Sequence, residues 1–264
     1  MAQGLRFRSA HEGAGTALFL IWSGAGQCVR VARLGDAVGG MNYTFQFGVV
    51  FARLPELWQG ALLSLEIGAL SFWGGALLGL LLATFKVYGT GAARRLANGF
   101  IVFFTNTPAV IQIYFLYYGL PELGVLWSNI TCVIVGLTLN TGAYLAEIMR
   151  AGFISVHRTE LEAAETLGFA RWQQIRHVIL PHIAKVIYPA LANYFVVLML
   201  GTSMASIFGV NELTGQAYNI ASDNYRHIEM FTVVAGIYIV LTFIASLSLA
   251  LFGRWAFRVR ARIF

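Results

Sequence analysis

Charge is scarce in this chain: of 264 residues, 11% are Asp, Glu, Lys or Arg, 58% are hydrophobic, and the mean hydropathy is +0.70. Soluble domains carry roughly 25% charged residues, so a soluble fold is excluded and an all-α polytopic membrane protein is expected. Cysteine is nearly absent. Cys28 and Cys132 stand in unrelated contexts, which leaves neither a disulfide framework nor a cysteine metal site. His157, His177 and His182 gather near one polar segment but lack the paired spacing of the HExxH metal motif. No stretch has the Gly-rich phosphate cradle that closes in Gly-Lys-Ser/Thr. The chain is therefore expected to bind no cofactor and to hydrolyse no nucleotide itself. Its net charge of +6 reads as membrane topology rather than as affinity for nucleic acid.

A hydrocarbon core about 30 Å thick needs roughly 20 apolar residues of helix. Five segments qualify, at about 57–85, 96–118, 123–149, 183–208 and 230–257. Lys86, Arg94 and Arg95 fill the first loop, while Arg150, Arg158, Arg171, Arg176 and Lys185 lie in or beside the third. Arg254, Arg258, Arg260 and Arg262 close the tail, and the second loop has no Lys or Arg. The excess of cations marks the cytoplasmic side, so loops one and three and the C-terminus are assigned to it. Residues 1–40 do not fit, because Arg6, Arg8, Arg30 and Arg33 would then lie outside. They are read as an N-terminal extension of uncertain status, with translation expected to begin at Met41.

The longest polar interruption, residues 150–181, lies between two apolar stretches. Thr159-Glu160-Leu161-Glu162 has the form of a capping box, and Leu161, Ala164 and Leu167 follow at helical spacing. Gly168 supplies a left-handed C-cap. A second short helix is expected from Arg171 to Leu180, ending before Pro181, which opens the next span. Ala163 and Ala164 leave a shallow surface for a partner, with Glu162 at its edge. Glu162-Ala-Ala, three residues, Gly168, then nine residues to Val178-Ile-Leu180-Pro181 resembles the EAA loop of ABC importer permeases.

That resemblance runs from about Met41 to the C-terminus and is strongest to the polar amino-acid branch. It includes Thr105-Asn-Thr-Pro-Ala-Val-Ile-Gln112, Leu139-Asn-Thr-Gly-Ala-Tyr-Leu-Ala-Glu-Ile-Met-Arg150, Gly201-Thr-Ser-Met-Ala-Ser206 and Asn211-Glu-Leu-Thr-Gly215. Thr105 and Leu200-Gly201 depart from the branch, which often has basic residues there. The resemblance implies a type I ABC importer permease core of five transmembrane helices with a cytoplasmic coupling hairpin. It implies ATPase-coupling roles for Glu162, Ala163, Ala164, Gly168, Leu180 and Pro181. It also implies ABC ATPase subunits that use the ATP, a second permease subunit of the same or a related kind, and an extracytoplasmic solute-binding protein. The setting implied is the bacterial cytoplasmic membrane.

Polar groups inside the spans are candidates for a substrate pathway. Glu66 lies in the first span, where an ionised group must face protein or water. Pro108, between Asn106 and Gln112, interrupts the second span, as a structural kink or as part of the pathway. Asn140 and Tyr144 on the third span, and Thr202 and Ser203 on the fourth, join the set, although Ser and Thr in such helices often bond their own backbone. Glu147 and Arg150 are expected to form a local ion pair. Ser71, Gly75 and Gly79 recur every four residues, a pattern for close helix packing, first within the subunit, with a dimer seam as the alternative. The rival reading is an ion-coupled secondary transporter with Glu66 as proton relay.

Overall fold

The computed structural model describes residues 20–22, 28–30 and 44–257, in two units, Met1–Phe45 and Gln46–Phe264. In the first unit β1 (Leu20–Trp22) and β2 (Cys28–Arg30) pair antiparallel, with Leu20 opposite Arg30. The expectations for the rest of residues 1–40, and for Arg258, Arg260 and Arg262, lie outside the described residues.

The second unit is helical. A short α1 (Phe47–Ala52) leads into α2 (Leu54–Tyr88), then α3 (Gly91–Thr105) and α4 (Ala109–Tyr114). A π turn, Phe115–Gly119, and a last helical turn, Leu120–Glu122, extend α4. The long α5 (Asn129–Ile154) precedes the short α6 (Arg158–Thr166) and α7 (Arg171–Gln174). The helix α8 (Leu180–Gly201) tightens into a 3₁₀ segment, Thr202–Phe208. Two helices, α9 (Leu213–Asn224) and α10 (His227–Phe257), complete the chain.

Four helical stretches, Leu54–Tyr88, Asn129–Ile154, Arg171–Phe208 and His227–Ala256, are long and apolar enough to cross a membrane, and α3 with α4 makes a fifth if counted as one. That fifth span is not the single rod expected for 96–118: its halves meet at 105°. The reason is Pro108, which caps α4 and has no N–H to give the preceding turn.

The core is the seam between α2 and α5. A Cβ placed on Gly75 would lie 2.5 Å from Thr141 Cγ2, and one on Gly79 would lie 3.0 Å from the Ala146 nitrogen and the Gly142 oxygen. The Ser71 hydroxyl donates to the Ile134 carbonyl across the same seam, at 3.4 Å. The small-residue repeat thus packs within the subunit and lets two backbones approach closely, so that dispersion and an interhelical hydrogen bond hold the helices together. Much of α10 is unburied: Ile239, Phe243, Leu251 and Trp255 are all exposed, as a helix facing lipid or a second membrane subunit would be.

Candidate functional site

The polar segment folds into a hairpin, with two differences from the pattern in its sequence. His157, not Thr159, stands at the N-cap of α6, and no side chain caps that end. Thr159 falls inside the first turn, so the expected capping box does not form. The C-terminal end is as anticipated. Gly168 has φ +75°, its N–H donates to the Glu165 carbonyl at 2.9 Å, and the Phe169 N–H reaches back to Ala164 at 3.0 Å. This is the left-handed closure that only glycine enters without cost.

The second half of the hairpin does not stop before Pro181. Helix α7 passes through a π turn, Ile175–Ile179, straight into α8, with Pro181 in its first turn. Proline cannot donate to the carbonyl four residues back, and its ring crowds that carbonyl. A locally widened turn takes up the misfit, so hairpin and span form one continuous stretch of helix. The alanine pair is also divided: Ala163 and Glu162 are exposed, whereas Ala164 is 3% exposed and points inward. Leu167, which follows Leu161 and Ala164 at helical spacing, is exposed because it sits at the C-cap, past the last helical turn. Leu180 and Pro181 are exposed too.

Between α6 and the start of α8 lies an open cavity of about 620 Å³, lined by Glu160, Ala163, Phe169, His177, Pro181 and Lys185 among others. His182 Nδ1 lies 3.2 Å from Glu160 Oε2 across it. At the root of the hairpin Glu147 meets Arg150 at 2.8 Å, the ion pair expected from the sequence, and Lys86 of α2 joins it at 2.5 Å.

The structure brings four of the pathway candidates together at the break between α3 and α4. There side chains satisfy carbonyls around the end of α3, where helical donors run out, and the Val102 carbonyl also keeps its helical donor, the Asn106 N–H, at 3.2 Å. Asn106 Nδ2 donates to the Val102 carbonyl at 2.8 Å. Gln112 Nε2 donates to those of Phe104, at 3.0 Å, and Thr107, at 2.9 Å. Asn140 Nδ2 reaches Phe104 from α5 at 3.2 Å, and the Tyr144 hydroxyl reaches Thr105 at 3.2 Å. One buried oxygen beside this joint, Gln112 Oε1, meets no hydrogen-bond partner among the described residues.

The remaining candidates are not part of that cluster of bonds. Thr202 is fully buried and donates to Met199 at 2.7 Å, while Ser203 donates to Leu200 at 2.8 Å. Both close the i−3 pattern that tightens the end of α8 into a 3₁₀ helix. Glu66 is exposed on the outer face of α2.

Sequence reasoning missed a buried carboxylate, Glu212, at the N-cap of α9. One of its oxygens accepts from Ser64 Oγ (3.0 Å), the Thr214 N–H (2.9 Å) and the Tyr238 hydroxyl (3.1 Å), and the other from the Gly215 N–H (3.0 Å). Burial pushes its pKa up, and the hydrogen bonds from Thr214, Gly215, Ser64 and Tyr238 pull against that shift. A signal was present, since an acidic residue directly before a helical run is a strong N-cap. What could not be read was that its partners come from α2 and α10.

Five helical crossings around a glycine-tight seam, with a polar hairpin between the third and fourth, define a type I ABC importer permease fold. Residues 75–258 match the family of the binding-protein-dependent transport system inner membrane component. The glutamine transport system permease protein GlnP of Escherichia coli (strain K12) is 34% identical over 209 residues, covering 78% of this chain and 94% of that protein. The probable amino-acid ABC transporter permease protein PatM of Vibrio harveyi is 33% identical over 197 residues, 74% of this chain and 88% of that one. Among solved structures, a chain of an amino acid ABC transporter with histidines superposes with a TM-score of 0.75 at 33% identity, covering 80% of this chain and 99% of its own length. The MetNI methionine ABC transporter shares the fold, with a TM-score of 0.61 at 17% identity over 80% of this chain and 98% of that one. The chain belongs to this family of inner-membrane transport components: it is an ABC importer permease subunit.

Proposed function

We propose that this chain is the membrane-spanning subunit of an ATP-driven importer for polar amino acids or related small zwitterions. ABC ATPase subunits on the cytoplasmic side bind and hydrolyse the ATP; a second permease subunit, the same or related, completes the pathway; an extracytoplasmic solute-binding protein delivers substrate. The C-terminus is cytoplasmic. What supports the substrate class is the naming of the relatives as glutamine and amino-acid permeases.

The observation that carries the coupling role is the hairpin of α6 and α7. It exposes Glu162 and Ala163 beside an open groove, and it continues without a break into α8 through the π turn. A push on the hairpin is therefore a push on a membrane helix. Glu162, Ala163, Gly168, Leu180 and Pro181 act in that contact, and Ala164 supports it from inside. Glu66, Asn106 and Tyr144, which keep exposed surface, would face the pathway between two subunits. Gln112 and Asn140 hold the broken helix in place around it, and Thr202 with Ser203 shapes the end of α8.

An Ala163→Cys variant tests the reading. In native membranes a short bifunctional reagent should cross-link it to a nucleotide-hydrolysing protein, and the cross-link should respond to ATP. Labelling of that cysteine from the outer aqueous side, or no such cross-link, would overturn the assignment.

A further inference from the structure

A second cavity, of about 540 Å³, lies where α2 ends, α3 begins and α5 ends, and nothing in the coupling reading uses it. It is lined by Lys86, Arg94, Arg95, Asn98, Arg150 and Ile154, with Val87. Four cations converge there. One carboxylate, Glu147, answers Lys86 and Arg150 from beside it. Arg94 and Arg95 are exposed and form no ion pair among the described residues, so the cavity keeps a surplus of positive charge. Thr90, at the N-cap of α3, makes no side-chain cap bond, and no acidic residue stands in the first turn. The positive end of that helix is thus also uncompensated, and it adds to the field.

What surrounds the cations decides between occupants. Val102, two turns from Arg95 on the same face of α3, is 51% exposed. Tyr88 and Ile154, at the ends of α2 and α5, are exposed apolar groups at the same level. A basic pocket that opens onto an apolar helix face suits a molecule with an anionic head and hydrocarbon tails, and basic pockets between membrane helices on the cytoplasmic side hold such headgroups. A soluble anion would have no use for the apolar rim.

We propose that this pocket is a binding site for the phosphate headgroup of an anionic phospholipid, with Arg94 and Arg95 as its principal ligands and Lys86 and Arg150 behind them. The acyl chains pass Ile154 and run along Val102.

The full-length chain in detergent, titrated with phosphatidylglycerol or with phosphatidylcholine of matched acyl chains and followed by native mass spectrometry, tests this. Phosphatidylglycerol should be retained preferentially. An Arg94→Gln/Arg95→Gln variant should lose about thirtyfold of that affinity, whereas Arg171→Gln/Arg176→Gln, which removes equal charge from the hairpin, should lose little. Equal losses in the two variants would mean diffuse attraction and overturn the site. Retention by the first variant would overturn it too. Displacement of the lipid by millimolar inorganic phosphate would reassign the pocket to a soluble anion. Capture of a protein subunit rather than lipid by a photoreactive group at Asn98→Cys would make it a protein interface.

Discussion

Gly79 and Gly168 are required for opposite reasons, and the contrast separates two regions of this permease. At Gly79 a Cβ would meet backbone atoms of α5 at 3.0 Å, whereas at Gly168 nothing lies within 4 Å and the backbone itself, at φ +75°, is the constraint. The seam is fixed by what another helix brings to it. The hairpin is fixed by its own turn chemistry, with Ala164 buried within it and the Glu160–His182 pair tying α6 to the start of α8. In the coupling role proposed above, a shape set by its own turn passes a push on to α8 rather than giving way under it.

Substitutions can break or sharpen this comparison. The largest loss of stability is expected at the seam: Gly79→Val forces α2 away from α5, and overpacking of this kind costs about 1–3 kcal/mol or more. Size-exclusion profiles and thermal unfolding in detergent should show a depleted or aggregated chain. Wild-type behaviour there would mean that the seam is looser than its geometry implies.

The Glu212 joint comes next. Removing one acceptor from a cluster of buried donors costs about 1–3 kcal/mol, so Glu212→Gln should lower the melting temperature at neutral pH. The native pKa of Glu212 is raised above the ordinary 4.5, so the folded chain holds the proton more tightly than the unfolded one does. Its contribution to stability is then complete below the unfolded value and is lost as pH rises through the raised native value. Melting temperatures measured from about pH 4.5 upward should carry this downward slope in the wild type and lack it in Glu212→Gln. The same slope in both proteins would place the titration elsewhere.

Gly168→Val reverses the order of stability and function. Strain at a left-handed residue costs about 1–2 kcal/mol and stays local, so global unfolding should barely move. ATP-dependent uptake by the reconstituted transporter should nonetheless fall sharply. Unchanged uptake and hydrolysis would show that the hairpin's closure has no part in coupling. The smallest effect is expected at Glu160→Gln, where a partly exposed pair is worth less than about 1 kcal/mol. A larger shift in unfolding would mean that α6 is bound into the core after all.

The hairpin was more legible than the core, for the same physical reason. Gly168 marks its own position because a left-handed C-cap depends on nearest neighbours. The N-terminal end of α6 was misread because Thr159 and Glu162 have the right letters for a cap, while the backbone enters the helix earlier, at His157. Pro181 looked like a terminus, but a π turn lets the helix run through it. Asn106, Gln112, Asn140 and Tyr144 were picked out as polar groups in spans. Their shared task, bonding the carbonyls around the break at Pro108, shows only when α3, α4 and α5 meet.

By itself the sequence determined that the chain is a helical membrane protein, where its long apolar helices run, and that a glycine-closed hairpin interrupts them. Those features follow from local hydropathy and local backbone preference. Tertiary structure alone decided that Asn140 and Tyr144 of α5 bond the carbonyls at the end of α3, that Ala164 faces inward while Ala163 does not, and that Glu212 joins α2, α9 and α10. In each of these the deciding partner lies far away in the chain or on a neighbouring helix, and a polar group's energy depends on whether that partner arrives.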